Sequence, residues 1–198
     1  MKPIIKTGLN KFYNKGMHQD AFDNIYIADI LNHRIEKWTP DSTEGITIVG
    51  GNGQGSSSDQ LDYPGGVYVD DNGNIFIADT GNHRIQKWLP GATEGITVAG
   101  GNGKGSSSDQ FNHPNGLHVT SDGSIFISDS GNHRIQKWLS GATKGVTVAG
   151  GNESGFGTNQ LSYPNDVFIN EGNIYVSDWG NDRIQIFTLN TTHGITII

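Results

Sequence analysis

A chain of 198 residues is long enough to bury one substantial core. With 29 glycines and only 33% hydrophobic residues, that core must come from many short elements joined by turns. A charged fraction of 17%, a net charge of −7, the absence of cysteine and the lack of any apolar run near ~18 residues argue against several classes: disorder driven by self-repulsion, a phosphate-binding basic surface, disulfides or zinc-thiolate sites, and membrane insertion.

The first six residues, Met1-Lys2-Pro3-Ile4-Ile5-Lys6, contain no continuous apolar stretch of the signal-peptide kind. The chain therefore reads as soluble, with its compartment left open. The sequons at Asn152 and Asn190 permit glycosylation without requiring it.

In chain order, Gly16-Met17-His18-Gln19-Asp20 stands as a weak first strand, followed by Asn32-His33-Arg34-Ile35-Glu36-Lys37-Trp38. The next period is the clearest. Gly66–Val69 alternates and ends at the turn 70–73; Asn74–Asp79 is β-branched and aromatic; Arg84–Trp88 ends at Pro90-Gly91; Gly95–Ala99 follows. The Asn-His-Arg motif recurs at Asn82-His83-Arg84 and Asn132-His133-Arg134, with a weaker fourth copy at Asn181-Asp182-Arg183, at intervals of 50, 50 and 49 residues. No stretch is helical over three turns. A four-stranded antiparallel unit of about 50 residues cannot bury both faces alone and must stack on copies of itself. The expected fold is all-β: one β-propeller region over 1–198, with blades near 14–51, 61–101, 111–151 and 161–198.

The pattern Pro-x-Gly-Val-x-Val-Asp, Gly-Asn-Ile-Phe-Ile-Ala-Asp, Asn-His-Arg-Ile-Gln-Lys-Trp resembles the NHL repeat, over about Gly16 to Ile198. WD40 repeats require Gly-His and Trp-Asp dipeptides that are missing. Kelch repeats share the doublets at Gly50-Gly51, Gly100-Gly101 and Gly150-Gly151, but not the downstream Tyr and Trp. The resemblance implies a propeller that commonly has six blades. Four are encoded here, so an incomplete arc is favoured over a closed four-blade ring, and self-association through open blade faces is expected. The bare face of the fourth blade is expected to carry Ile174 and Val176 or their alternates.

Calling the strands of each blade a to d, a meander places the b–c turns and the d–a connectors on one side. That side is the candidate partner-binding face: Ile30, Leu31, Asn32 and His33 in the first blade, Asn82 and His83 in the second, Asn132 and His133 in the third, and Trp179 in the fourth. Trp179 and Ile30-Leu31 are large apolar residues on otherwise polar turns, as interface anchors are. The pairs Asp29/Arg34, Asp79/Arg84, Asp129/Arg134 and Asp178/Arg183 flank the turns in every blade, which fits a structural ion pair worth roughly 0.2–1 kcal/mol. The connectors Ser56–Asp59 and Ser106–Asp109 read as flexible, without a histidine placed to activate a serine.

No cofactor, metal or catalytic residue is assigned. His33, His83 and His133 belong to different blades and are too widely spaced for the ~2.0–2.3 Å ligand distances of zinc. Peptidyl-hydroxyglycine lyases resemble this fold and hold zinc through channel histidines. The matching inner-strand positions here are His18, Tyr68, His118 and Phe168, read as packing between blades, with His113 more distant. Non-catalytic protein or peptide binding leads. A metal-dependent lyase is the first alternative. RNA binding, known in NHL proteins joined to RING and B-box modules, is the second, disfavoured by the charge.

Overall fold

The computed structural model describes residues 14–189, 191 and 193–197. The N-terminal segment inspected for a signal peptide and Asn190 of the second sequon lie outside them. Among the described residues, sixteen strands form four antiparallel four-stranded sheets, each in sequential order. The first comprises β1 (Asn14–Gln19), β2 (Ile25–Asp29), β3 (Arg34–Trp38) and β4 (Ile46–Gly50). The second comprises β5 (Pro64–Val69), β6 (Ile75–Asp79), β7 (Arg84–Trp88) and β8 (Ile96–Gly100). The third comprises β9 (Pro114–Val119), β10 (Ile125–Asp129), β11 (Arg134–Trp138) and β12 (Val146–Gly150). The fourth comprises β13 (Pro164–Asn170), β14 (Asn173–Asp178), β15 (Arg183–Thr188) and β16 (Ile195–Thr196). This is the four-bladed propeller arrangement expected from the repeat.

Two boundaries differ from expectation. The inner strand begins at Pro64 rather than Gly66, because a proline is tolerated as the first residue of a strand and a bulge between Pro64 and Val67 absorbs the extra residue. The outer strand is shifted by one, to Ile96–Gly100. Each b–c turn is a single 3-10 turn closed by a left-handed residue, His33, His83, His133 or Asp182, with φ of 50–53°. Histidine and aspartate are among the few non-glycine residues that visit this region readily.

Period-2 alternation gives every sheet two faces, and each face packs against the neighbouring blade. Val67, Ile77 and Trp88 meet Tyr26, Ala28 and Ile35 of the first blade. Phe76 and Ile85 from the opposite face meet Leu117, Ile127 and Trp138 of the third. Phe126 and Ile135 meet Val167, Ile174 and Phe187 of the fourth. Each connector adds one fully buried side chain to these cores, Leu61, Phe111 or Leu161. Full burial of such a side chain contributes about 1.5–3 kcal/mol before entropy is counted.

Close approach of the inner strands explains one glycine directly. A Cβ at Gly66 would sit 2.6 Å from the Asn115 carbonyl oxygen and 3.2 Å from the Gly116 Cα, so any side chain would push the second and third blades apart.

The three buried clusters join the first blade to the second, the second to the third and the third to the fourth; no cluster of buried residues joins the fourth to the first among the described residues. The bare face of the fourth blade therefore carries the alternates of Ile174 and Val176, both of which are buried against the third blade. Phe168, Tyr175, Ile184 and Ile186 occupy that face, with Phe168 55% exposed. At the other end, Met17 is 74% exposed.

Candidate binding face and channel

The b–c turns and d–a connectors share one side, held there by a set of hydrogen bonds repeated from blade to blade. The hub is the turn carboxylate. Asp79, fully buried, accepts through Oδ2 from Arg84 Nε (2.7 Å) and Asn82 Nδ2 (2.8 Å), and through Oδ1 from the Asp62 backbone N–H (2.6 Å). Asp129 and Asp178 repeat the pattern with Arg134, Asn132 and the Asn112 N–H, and with Arg183, Asn181 and the Ser162 N–H. Burial pushes the Asp79 and Asp129 carboxyls up, against the opposing pull of these donors.

The arginines extend the hub outward. Arg84 donates to the Ser56, Ser57 and Gln60 carbonyls, and Arg134 to Ser107 and Gln110. Asn82, Asn132 and Asn181 also donate to Gly55, Gly105 and Gly155. The serine-rich connectors are therefore clamped rather than flexible. The ion pairs, expected to behave as exposed pairs, are buried network members. The first blade has no described connector before it, and there the network contracts. Asn32 donates only to Asp29, while Arg34 pairs with Asp29 at 2.9 Å and Glu36 at 2.7 Å and donates to Thr47.

The turn histidines act between blades. His33, His83 and His133 accept through Nδ1 from the backbone N–H of Tyr63, His113 and Tyr163, at 3.0–3.1 Å, and each ring meets the partner ring edge-on at 4.5–4.8 Å. These histidines are thus spaced one blade apart, as expected, but each is engaged with the start of the next inner strand.

An accepting Nδ1 requires the neutral ring, and burial lowers the pKa of His83 and His133 below 6.5. His113 and Lys104 reinforce the effect at His83 and Asp62 opposes it; Asp178 and Asp129 oppose it at His133. The unfolded chain then binds more protons just below pH 6.5. Stability from these two groups is complete above that pH and falls as pH drops through their folded pKa values. Thermal melts at about pH 7.5 and pH 5.5 should show a smaller acid-induced fall in Tm for the double variant H83N/H133N than for the parent. The raised carboxyls titrate with the opposite sign, but they are common to both proteins and drop out of the comparison. An equal fall in both would refute the histidine assignment.

Of the remaining candidates, Leu31 and Trp179 are exposed and Ile30 is half-buried. Trp179, 68% exposed, shares the fourth blade's surface with Phe156, 75% exposed, whose carbonyl accepts from Arg183. Phe156 lies in a connector and was missed in the sequence because the equivalent residues, Ser56 and Ser106, are polar.

The inner strands line a channel of about 390 Å³. Its wall is a ladder of rings, one per blade: His18 to Tyr68 at 4.6 Å, Tyr68 to His118 at 5.1 Å and His118 to Phe168 at 5.1 Å. The end formed by Gly65, Asn115, Asn165 and Asp166 lies beside the b–c turns, where Thr80 Oγ1 donates to the Pro114 carbonyl. Asn115 donates to Asn165 at 2.6 Å. Among the described residues no group of three or more His, Asp or Glu side chains is placed to hold a metal ion, and no helix is long and apolar enough to cross a membrane.

The NHL repeat family profile matches residues 61–88, 111–138 and 161–187, the second, third and fourth blades from connector to strand c. The chain is an NHL-repeat β-propeller. The first blade of this NHL propeller shares the four-stranded form although its inner strand carries Gln19 where Val69 and Val119 stand in the next two blades. No curated protein matches the chain in sequence.

Among solved structures, a gluconolactonase from Xanthomonas campestris is 17% identical with a TM-score of 0.68, covering 92% of this chain and 60% of its own. Streptogramin B lyase is 14% identical with a TM-score of 0.60, covering 93% and 53%. A chain of the nidogen/laminin complex is 17% identical with a TM-score of 0.60, covering 93% and 79%. The NHL propeller thus spans between half and four fifths of these structures, and at such identities the likeness concerns the fold.

Proposed function

We propose that this NHL propeller is a non-catalytic binding scaffold whose b–c face receives a protein or peptide. The observation that carries the reading is the exposure of Trp179 and Phe156 on loops whose backbones are clamped by the arginine and asparagine network. Exposed aromatic side chains on a rigid frame lose little conformational entropy on binding, which is what an interface anchor requires. Leu31, Tyr63 and Tyr163, also exposed on turns and connectors of this side, extend the apolar character toward the other blades.

Similar structures include enzymes as well as a binding complex, so the reading rests on the residues of this chain. The metal-dependent lyase alternative is supported only by His18 and His118, whose position in the ring ladder is also met by packing. RNA binding finds no support in a net charge of −7. Self-association would use the two bare end faces, a separate surface.

Peptides selected from a displayed library on the immobilised protein should bind the Trp179→Ser variant at least about five-fold more weakly, equivalent to ~1 kcal/mol. The variant should keep the parental Tm, because Trp179 is exposed. Unchanged affinity, or a variant that unfolds, would count against the anchor.

A further inference from the structure

The channel is a second surface with its own chemistry. At the ladder position the rings are only partly covered: His18, Tyr68 and His118 are half-buried and Phe168 is exposed, whereas their strand neighbours Val67, Val69, Leu117 and Val119 are buried in the inter-blade cores. The ladder rings pack against one another from blade to blade, and Tyr68 against the core between the second and third blades, while the ring surface left uncovered lines the cavity.

The charges around it share one sign. Among the described side chains no lysine or arginine lines the channel. Asp166 lines its mouth; the carboxylate accepts from the Val167 backbone N–H at 2.9 Å and has no basic side chain opposite it among the described residues. Asp20 lies within electrostatic reach of His18, and Asp70 and Asp71 within reach of Tyr68, at the other end. Burial lowers the pKa of His18 and His118 below 6.5, so both rings are neutral at pH 7 and contribute no opposing positive charge. Aromatic faces and a carboxylate together attract a cation, and a cavity of this volume suits a small organic one.

We propose that the channel binds an organic ammonium group, held between the Tyr68 and Phe168 rings and the Asp166 carboxylate. The Asn115 and Asn165 side-chain amides at the mouth would orient the polar remainder of the ligand. This goes beyond the partner-binding face and does not depend on it. The group could belong to a free amine or to a lysine side chain.

The test is titration of the whole chain with n-butylammonium and with 1-butanol, which is similar in length and uncharged, read by calorimetry and by the His18 and His118 imidazole proton shifts. Butylammonium should saturate and butanol should not. Asp166→Asn should weaken binding at least about five-fold, and Phe168→Leu, which keeps apolar bulk at an exposed position but removes the ring, at least about two-fold. Affinity should fall as pH is lowered, because protonation of His18 and His118 adds repulsion and protonation of Asp166 removes the attraction. W179S should bind butylammonium as the parent does, so failure of the b–c face leaves this result intact. Stronger binding of Nα-acetyl-lysine amide than of choline would assign the group to a peptide side chain, and the reverse to a free quaternary amine. Equal response to butanol, no saturation, or full affinity in the Asp166→Asn variant would overturn the proposal.

Discussion

Replacing Asp129 with alanine is expected to destabilise the protein by about 3–5 kcal/mol, the cost of leaving a buried partner charge uncompensated. Asp129 is fully buried, and removing it leaves the Arg134 guanidinium without its counter-charge, takes one of two acceptors from the Asn132 amide and leaves the Asn112 backbone N–H without its acceptor. An exposed pair of the same residues would contribute only ~0.2–1 kcal/mol, so the two descriptions are well separated. The measurement is the shift in urea midpoint, with Asp29→Ala as an internal comparison. The first-blade carboxylate is also buried, but Arg34 there retains Glu36 as a second partner, so a smaller loss is expected. A loss below about 1 kcal/mol for Asp129→Ala would return the pair to the exposed class.

The second large effect concerns a connector. Phe111→Ala should cost about 3–5 kcal/mol, the range for truncating a buried aromatic residue. Phe111 is fully buried, packs its ring 5.5 Å from Trp138 and stands beside Gly100 in the core between the second and third blades. Its carbonyl also accepts from the Gly105 N–H, tying the connector back on itself. Urea or thermal unfolding checks the magnitude. If the connector were a loose lid, truncation would cost well under 1 kcal/mol, and proteolysis at Ser106–Asp109 would be rapid in the parent protein.

Much of the frame was legible in the residues because a propeller blade is a local object. Strand pairing runs between neighbours in sequence, so period-2 alternation and the turn residues suffice to place β5 to β8, and a 50-residue period then places the others. The network is partly legible too. The recurrence of Asp79, Asn82 and Arg84 in each blade signals a structural role, and the connector pair Asn52/Gln60 with its copies Asn102/Gln110 and Asn152/Gln160 repeats just as regularly. In each of those pairs the Gln amide donates to the Asn carbonyl eight residues earlier. That second signal was available and would have shown the connectors to be ordered.

The sequence by itself determined the blade, its repetition and the identity of the turn pairs, since each depends on residues near one another along the chain. Tertiary structure alone decided how strongly those pairs matter. An ion pair's contribution depends on the water excluded from it, and here the excluding wall is the preceding connector, 24–28 residues upstream of its arginine. The same holds for the channel. His18, Tyr68, His118 and Phe168 are fifty residues apart in sequence and about 5 Å apart in space. Their alignment arises from blade-to-blade rotation, set by the close approach of inner-strand backbones at positions such as Gly66, which no pattern within one repeat encodes.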